Sequence, residues 1–453
     1  LVPWRFRTLA GSWERAARWL FILFAQFQEV DMLRVFTSSP YAYCDGVSRR
    51  SFLQIGALGM AGVTLADLLK AEDQAGIGSS EKAIINIHLS GGPSHQDMFD
   101  LKPDAPSEYR GEFNPISTNV SGLQICEHFP RLATMADKFA VIRSLIGSVG
   151  QHANYQTHSG YSDKDLRNVG GRPALGSVLA RLQGATPTGA PSFISYNGGE
   201  PGYLGPVYKP YKPSGGNLRL IGGLTSDRLS GRTNLLAQLD SLRRDVDNSG
   251  QMEALDSYTQ RAVEVVTSGK VADALDLKKE DPDIVKRYGR QGANFLTARR
   301  LVEAGVRTVS FNWGGWDTHG GNFTKLKTQL PELDNAMSNL LTDLSDRGLD
   351  KDVTVVMWGE FGRTPRINKG AGRDHWPKLS MAFLAGGGMR LGQAIGESSK
   401  YAEEAAARPV HFQEVFATLY HNLGINVAST SIIDPNGRPQ FLVDMRRPIE
   451  ELV

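Results

Sequence analysis

The sequence predicts an α/β fold, a central and mostly parallel sheet sandwiched by helices, and two observations carry that prediction. Short β-branched runs alternate with longer stretches of helical period, which argues for a sheet covered on both faces. Towards the end of the chain the strands and helices interleave regularly. The expected strands are Ala83-Ile84-Ile85-Asn86-Ile87-His88-Leu89, Phe139 to Arg143, Val306 to Phe311, Val353 to Met357 and Ser380 to Leu384. Helical periodicity runs over Asn234 to Val246, Met252 to Ser268, Gln291 to Ala304, Leu326 to Arg347 and His411 to Leu423. Residues 196–233 are rich in Gly, Pro and Tyr with little periodicity, and read as an irregular insertion of the kind that forms lids or binding walls. No internal repeat and no phosphate-binding glycine fingerprint is evident, so nucleotide binding has no support.

The ends and the composition set the address. Ser48-Arg49-Arg50-Ser51-Phe52-Leu53 fits a twin-arginine export signal, and residues 51–66 behind it are uncharged and moderately apolar. Glycines at 56, 59 and 62 would weaken an ordinary amphipathic helix there. Met32 puts the arginine pair at a normal depth, so 1–31 reads as an upstream extension, 32–78 as signal and linker, and 79–453 as the globular domain. Net charge is +2, from 50 basic and 48 acidic side chains, with no dense basic block, which argues against a nucleic-acid partner. Cys44 and Cys126 cannot make a disulfide framework, and no apolar run is long enough to span a membrane in the mature protein.

Residues able to ligate a metal gather in loops beside the expected strands, where open α/β sheets bind ligands. Ser90-Gly91-Gly92-Pro93-Ser94-His95-Gln96-Asp97 follows the first strand, and Asp97 offers a hard oxygen or a turn cap. Trp316-Asp317-Thr318-His319 follows the third and places an Asp and a His two apart. Gly359-Glu360-Phe361-Gly362-Arg363 follows the fourth, and offers either an ion ligand beside an anion-binding cation or a plain Glu360–Arg363 ion pair. Gly372-Arg373-Asp374-His375-Trp376 precedes the fifth. Carboxylates and imidazoles at successive loops of one sheet suit a shared centre of two divalent ions, zinc, manganese or iron. Ser148, four residues before His152, is a candidate nucleophile or a helix N-cap, and His152 and His158 stand as metal or oxyanion partners. His88, His128, His411 and His421 read as structural.

These motifs, with Leu65-Ala66-Asp67-Leu68-Leu69 and Gly91-Gly92-Pro93-Ser94-His95-x-Asp97-x-Phe99-Asp100-x-Lys102-Pro103, resemble the bacterial family called domain of unknown function 1501. The resemblance covers the chain from about residue 40 to its end. That family is similar to the alkaline phosphatase and sulfatase superfamily, which implies an alkaline phosphatase-like sheet, two metal sites and a Ser, Thr or formylglycine nucleophile. It implies Asp97, Asp317, His319, Glu360 and His375 as ligands, with Asp374 a ligand or a ligand's partner. Ser148-Val149-Gly150-Gln151-His152 is similar to the Ser-Glu-Val-Gly-His turn of cofactor-independent phosphoglycerate mutases. The chain departs from the pattern where Ser90 replaces the usual Asp after the first strand and Glu360 the usual Asp, and it has no formylglycine signature. The expectation is a periplasmic or secreted metal-dependent hydrolase of phosphate or sulfate esters, with Ser148 as nucleophile and Arg363 or Arg373 on the substrate anion. Its partners would be a small-molecule or glycan ester and the twin-arginine translocation machinery. The rival is a non-catalytic secreted binding protein on a degenerate phosphatase/sulfatase-like scaffold whose metal site has decayed.

Overall fold

A computed structural model describes residues 82–213, apart from 185 and 187, and residues 269–453. The export signal, the helices expected at 234–246 and 252–268, and the insertion beyond 213 lie outside the described residues.

The main sheet is built from β1 (Ala83–His88), β2 (Phe139–Ile146), β3 (Phe193–Ser195), β4 (Thr308–Asn312), β5 (Val353–Trp358), β6 (Ser380–Gly386), β7 (Gln393–Ile395) and β8 (Val410–His411). The strand order is β7-β2-β6-β5-β1-β4-β3, with β8 also pairing with β2. β1 runs parallel to β4 and to β5, β3 parallel to β4, and β7 and β8 parallel to β2. Only β6 is inverted in this sheet, antiparallel to both β2 and β5. Each of the five strands expected from sequence is present within a few residues of its expected limits, and the mostly parallel arrangement holds.

β1 shows why the sheet is covered on both faces. All six of its residues are buried, and successive side chains alternate sides. Ile85 and Ile87 join Val355, Met357 and Phe311 in one core, packed beneath α3 (Ala293–Glu303) and α4 (Asn322–Asp346) through Phe295, Leu330 and Leu333. Ile84, Val356 and Trp358 face the other core, beneath α2 (Leu175–Gln183) and α5 (Phe412–Asn422), with Leu175, Phe412 and Phe416. A capping box in which His411 and Glu414 satisfy each other's backbone opens α5. The preceding short helix α1 (Tyr155–Ser159) and α2 were not expected from sequence, nor were β3, β7 and β8. Three or two residues of strand are too few for a period to show.

The topology sets where the loops go. β1, β4 and β5 are parallel and in register, with His88 level with Asn312 and with Trp358, so the loops leaving them emerge at one edge. Because β6 is inverted, the loop that enters it reaches that same edge.

Candidate metal centre

At this edge the loop after β4 carries Asp317 and His319, the segment before β6 carries Asp374 and His375, and the loop after β2 carries His152. Backbone contacts clamp the first two together. Gly321 N donates to Gly370 O, Asn322 N to Ala371 O and Arg373 N to Thr318 O. Two glycines permit the close approach: a Cβ on Gly372 would overlap the His319 carbonyl, and one on Gly91, whose φ is +108°, would overlap the Asp317 amide.

The side chains converge. His319 Nε2 lies 3.1 Å from Asp317 Oδ1 and 3.1 Å from His375 Nε2, and His375 Nε2 lies 3.4 Å from Asp317 Oδ1. His152 Nε2 is 3.5 Å from the other oxygen, Asp317 Oδ2. Ligands bonded to one tetrahedral ion at 2.0–2.1 Å stand roughly 3.3–3.4 Å apart, so these spacings match a metal's coordination edge. His152, Asp317 and His375 each offer an atom within 4.8 Å of the others'.

The opposite ring nitrogens fix the tautomers. His319 Nδ1 is 2.6 Å from Asp374 Oδ1, His152 Nδ1 is 3.0 Å from Glu360 Oε1, and His375 Nδ1 is 3.4 Å from the Gly150 carbonyl oxygen. Each of these oxygens accepts, so each Nδ1 donates to it, and in the neutral ring Nε2 then carries its lone pair on the side of Asp317. Neutral rings present acceptor nitrogens beside a carboxylate, a set that a cation satisfies, and His152, Asp317 and His375 form its closest group. The donor set therefore fits a divalent ion, and the carboxylate behind an imidazole is the arrangement that orients metal-binding histidines. Phe361, fully buried, backs the cluster, with its ring 4.3 Å from that of His375 and 5.1 Å from that of His152. Partial burial acts to raise the Asp317 pKa, but the hydrogen bond and charge of Arg363, with His319 and His152, outweigh it and hold the carboxyl below its ordinary range. Hydrogen bonds from His319 and Asn368 do the same for Asp374.

Other expected site residues fall elsewhere. Asp97 is buried, and Arg373 Nε and Nη2 each donate to it at 2.8 Å while Asn322 Nδ2 donates at 2.9 Å. The structure thus makes Asp97 half of a buried ion pair, not a ligand, because both of its oxygens are already held. Arg373 is spent on that pair and on the carbonyls of Thr364, Pro365 and Tyr109. Arg363, fully buried, donates to the carbonyls of Gly92 and Arg373 at 2.9 Å, to that of Gly91, and at 2.6 Å to Asp317 Oδ1. Both guanidiniums hold loops together, which corrects the expectation that either is presented to a substrate anion. The Ser148 hydroxyl donates to the main-chain oxygen of Glu360. The Glu360 side chain is buried and makes no ion pair with Arg363; its Oε1 also accepts from Gly91 N at 2.8 Å.

Beneath the cluster lies a polar layer around His88, which was expected to be structural. His88 Nε2 is 3.4 Å from Glu360 Oε2, and its Nδ1 is 3.0 Å from Thr157 Oγ1. Asn86, on the same face of β1, donates to Thr157 O and accepts from the Trp358 indole. Burial, with His158 adding to it, pushes the His88 pKa down to about 3, and burial pushes that of His158 to about 4. The signal in the sequence was two polar residues at i and i+2 in an otherwise apolar strand. His158 does not reach the cluster and stays in this layer, buried.

A comparison with curated proteins gives no match. Among solved structures, the lipoteichoic acid synthase LtaP from Listeria monocytogenes is similar over 77% of this chain and 73% of its own, at 10% identity and a TM-score of 0.35. The PsFucS1 sulfatase from Pseudoalteromonas sp. is similar over 79% and 70%, at 7% identity and 0.34. TAB5 alkaline phosphatase is similar over 68% and 91%, at 10% identity and 0.28. Likeness at this level carries no argument about activity, which rests on this chain's own side chains. The sequence profile of the family described as "Protein of unknown function (DUF1501)" matches residues 81–453, and the chain belongs to that family.

Proposed function

We propose that this chain is an exported, metal-dependent hydrolase of phosphate or sulfate esters. One observation carries the reading: loops from three different strands bring His152, His319 and His375 to Asp317 with every Nε2 turned towards its carboxylate. An ion bound there would supply Lewis-acid polarisation of the ester's oxygen. Asp374, Glu360 and the Gly150 carbonyl keep the imidazoles in one tautomer, and Arg363 keeps the Asp317 carboxylate ionised and in place. Asp317, His152 and His319 are each about half exposed, so an ester can approach from solvent. Ser148 is the nucleophile in this reading; its hydroxyl donates to the Glu360 carbonyl in this structure. The ester is a small molecule or a glycan, and the partner in export is the twin-arginine machinery, which carries proteins already folded. Zinc, manganese and iron all suit the mixed imidazole and carboxylate set.

A second reading, a non-catalytic secreted binding protein on a degenerate phosphatase/sulfatase-like scaffold, is favoured by the engagement of Arg363 and Arg373 within the fold. Metal analysis of protein folded before export, coupled to assays on aryl phosphate and aryl sulfate, separates the two. The enzyme reading expects bound metal and turnover that falls at least a hundredfold in Asp317→Ala and His375→Ala. No turnover on any ester, with or without metal, supports the binding protein, and unchanged turnover in both variants removes the assigned site. Among the described residues no helix is long and apolar enough to cross a membrane.

A further inference from the structure

We infer that Glu360 holds His152 in place rather than binding an ion, that His88 and Thr157 are the positioning residues that fix it there, and that the centre therefore takes a single ion. The inference rests on the metal-dependent reading above and departs from the pair of ions that the family resemblance implies.

Thr157 Oγ1 has one hydrogen and two acceptors within reach, the Asn154 carbonyl oxygen at 2.9 Å and His88 Nδ1 at 3.0 Å. His88 is neutral, since burial pushes its pKa down to about 3, so one ring nitrogen carries a hydrogen and the other a lone pair. If the hydroxyl gives its hydrogen to Asn154, Nδ1 has to donate to Thr157, and the Nε2 lone pair faces Glu360 Oε2 at 3.4 Å with both side chains 2% exposed. If it gives the hydrogen to His88, Nε2 carries one for Glu360 Oε2, which has no other hydrogen-bond donor. The first arrangement leaves two buried acceptors opposed. The second leaves short only the carbonyl of Asn154, a partly exposed residue that water can reach. Unmet buried acceptors are the more costly, so the second arrangement wins. His88 is thus protonated on Nε2, the reverse of the three exposed histidines. Asn86 braces the pair from the same strand face, donating to Thr157 O and accepting from the Trp358 indole.

The Glu360 carboxylate is then surrounded by N–H donors. Oε1 accepts from Gly91 N at 2.8 Å and from His152 Nδ1 at 3.0 Å, and Oε2 has the His88 Nε2 hydrogen turned to it. Asp97 is likewise taken, by Arg373 and Asn322. Both acids from the loops outside the cluster are spent, which leaves Asp317 with its histidines as the set for one ion. Among the described residues one group alone, His152, Asp317 and His375, has the spacing of a metal site.

Long-range proton–nitrogen correlation NMR on the metal-free full chain reads the tautomer of each ring. His88 is expected in the Nε2–H form and His152, His319 and His375 in the Nδ1–H form. In Glu360→Gln the new amide nitrogen can donate to His88 Nε2, so His88 is expected to switch to Nδ1–H. Bound zinc, counted by elemental analysis after loading with zinc(II) alone, is expected at one equivalent in wild type and in Glu360→Gln, with an affinity about threefold lower in the variant. His88→Leu, which removes the donor, is expected to weaken zinc about tenfold, and His88→Gln, whose amide can restore it, to recover most of that loss. A purely structural His88 would shift melting in these variants and leave zinc affinity alone. Wild-type His88 in the Nδ1–H form overturns the proposal, as do equal zinc affinities in wild type and His88→Leu, or a second zinc equivalent that Glu360→Gln removes. A wild type that binds no zinc defeats the metal-dependent reading, while the tautomers, read without metal, still decide whether His88 and Thr157 hold Glu360.

Discussion

Asp374 gives the sharpest test of how the exposed cluster is held. Its Oδ1 accepts from His319 Nδ1 at 2.6 Å, and Asn368 Nδ2 donates to Oδ2 at 3.3 Å. Asp374 is ionised at neutral pH, its carboxyl held low by those hydrogen bonds. Two effects are available to it, a charge that makes the imidazole more basic and an acceptor that keeps the proton on Nδ1. Both partners are about half exposed, so water screens the charge and its share is small. The acceptor is local and survives exposure. Outer carboxylates on metal-binding histidines are worth about 10–100-fold in affinity, and this exposure places Asp374 at the lower end, near tenfold or about 1.4 kcal/mol. Asp374→Asn keeps an acceptor oxygen and is expected to weaken zinc affinity only about threefold, while Asp374→Ala weakens it about tenfold. Competition with a chromogenic chelator measures both. Equal losses in the two variants, or a loss in Asp374→Ala as large as that in Asp317→Asn, would refute the assignment of Asp374 as a tautomer-fixing partner.

Other residues make independent predictions. Asp97→Asn strands the Arg373 charge in the interior and should cost about 3–5 kcal/mol in urea unfolding, with metal content unchanged in the folded fraction; altered stoichiometry would return Asp97 to the ligand set. Burial holds the imidazoles of His95 and His158 at about 4 in the folded chain, against 6.5 when exposed. As pH falls below 6.5 the unfolded chain takes up protons first, so this stability is full above 6.5 and is lost as pH falls towards 4. Between pH 7.5 and 5 the loss is about 2 kcal/mol per histidine, and His158→Gln should shrink the measured pH dependence by that amount. A slope unchanged in His158→Gln would contradict it. Gly91→Ala forces a Cβ against the Asp317 amide at φ +108°, so metal affinity should fall along with thermal stability; normal affinity would show that the two loops do not depend on each other.

The sheet was legible in the sequence because its five long strands are segments of five or more residues rich in β-branched and apolar side chains, mostly buried. The direction of β6 was not, since no local pattern distinguishes a strand that runs up from one that runs down. That inversion explains why Asp374 and His375, which precede a strand, meet Asp317 and His319, which follow one. The convergence of Asp317, His319, His375 and His152 was legible as motifs at strand ends. Asp97 was misread for a reason of distance: it lies 276 residues from Arg373, and a salt bridge of that span leaves no trace in the local pattern. Arg363 was likewise read as an anion-binding cation or the partner of Glu360, although the backbone carbonyls that hold it are contributed by Gly91 and Gly92 from another loop. His88 was passed over because a histidine within an apolar strand most often has its needs met in the core.

The central claim is that imidazoles of the exposed cluster, together with Asp317, hold a divalent ion, and X-ray absorption at the zinc edge of the zinc-loaded chain tests it most directly. The account predicts a first shell of nitrogen and oxygen at about 2.0–2.1 Å with the outer scattering of imidazole rings, diminished in His375→Ala. A chain that retains no zinc, or one whose zinc shows only oxygen neighbours and no imidazole scattering, would contradict it.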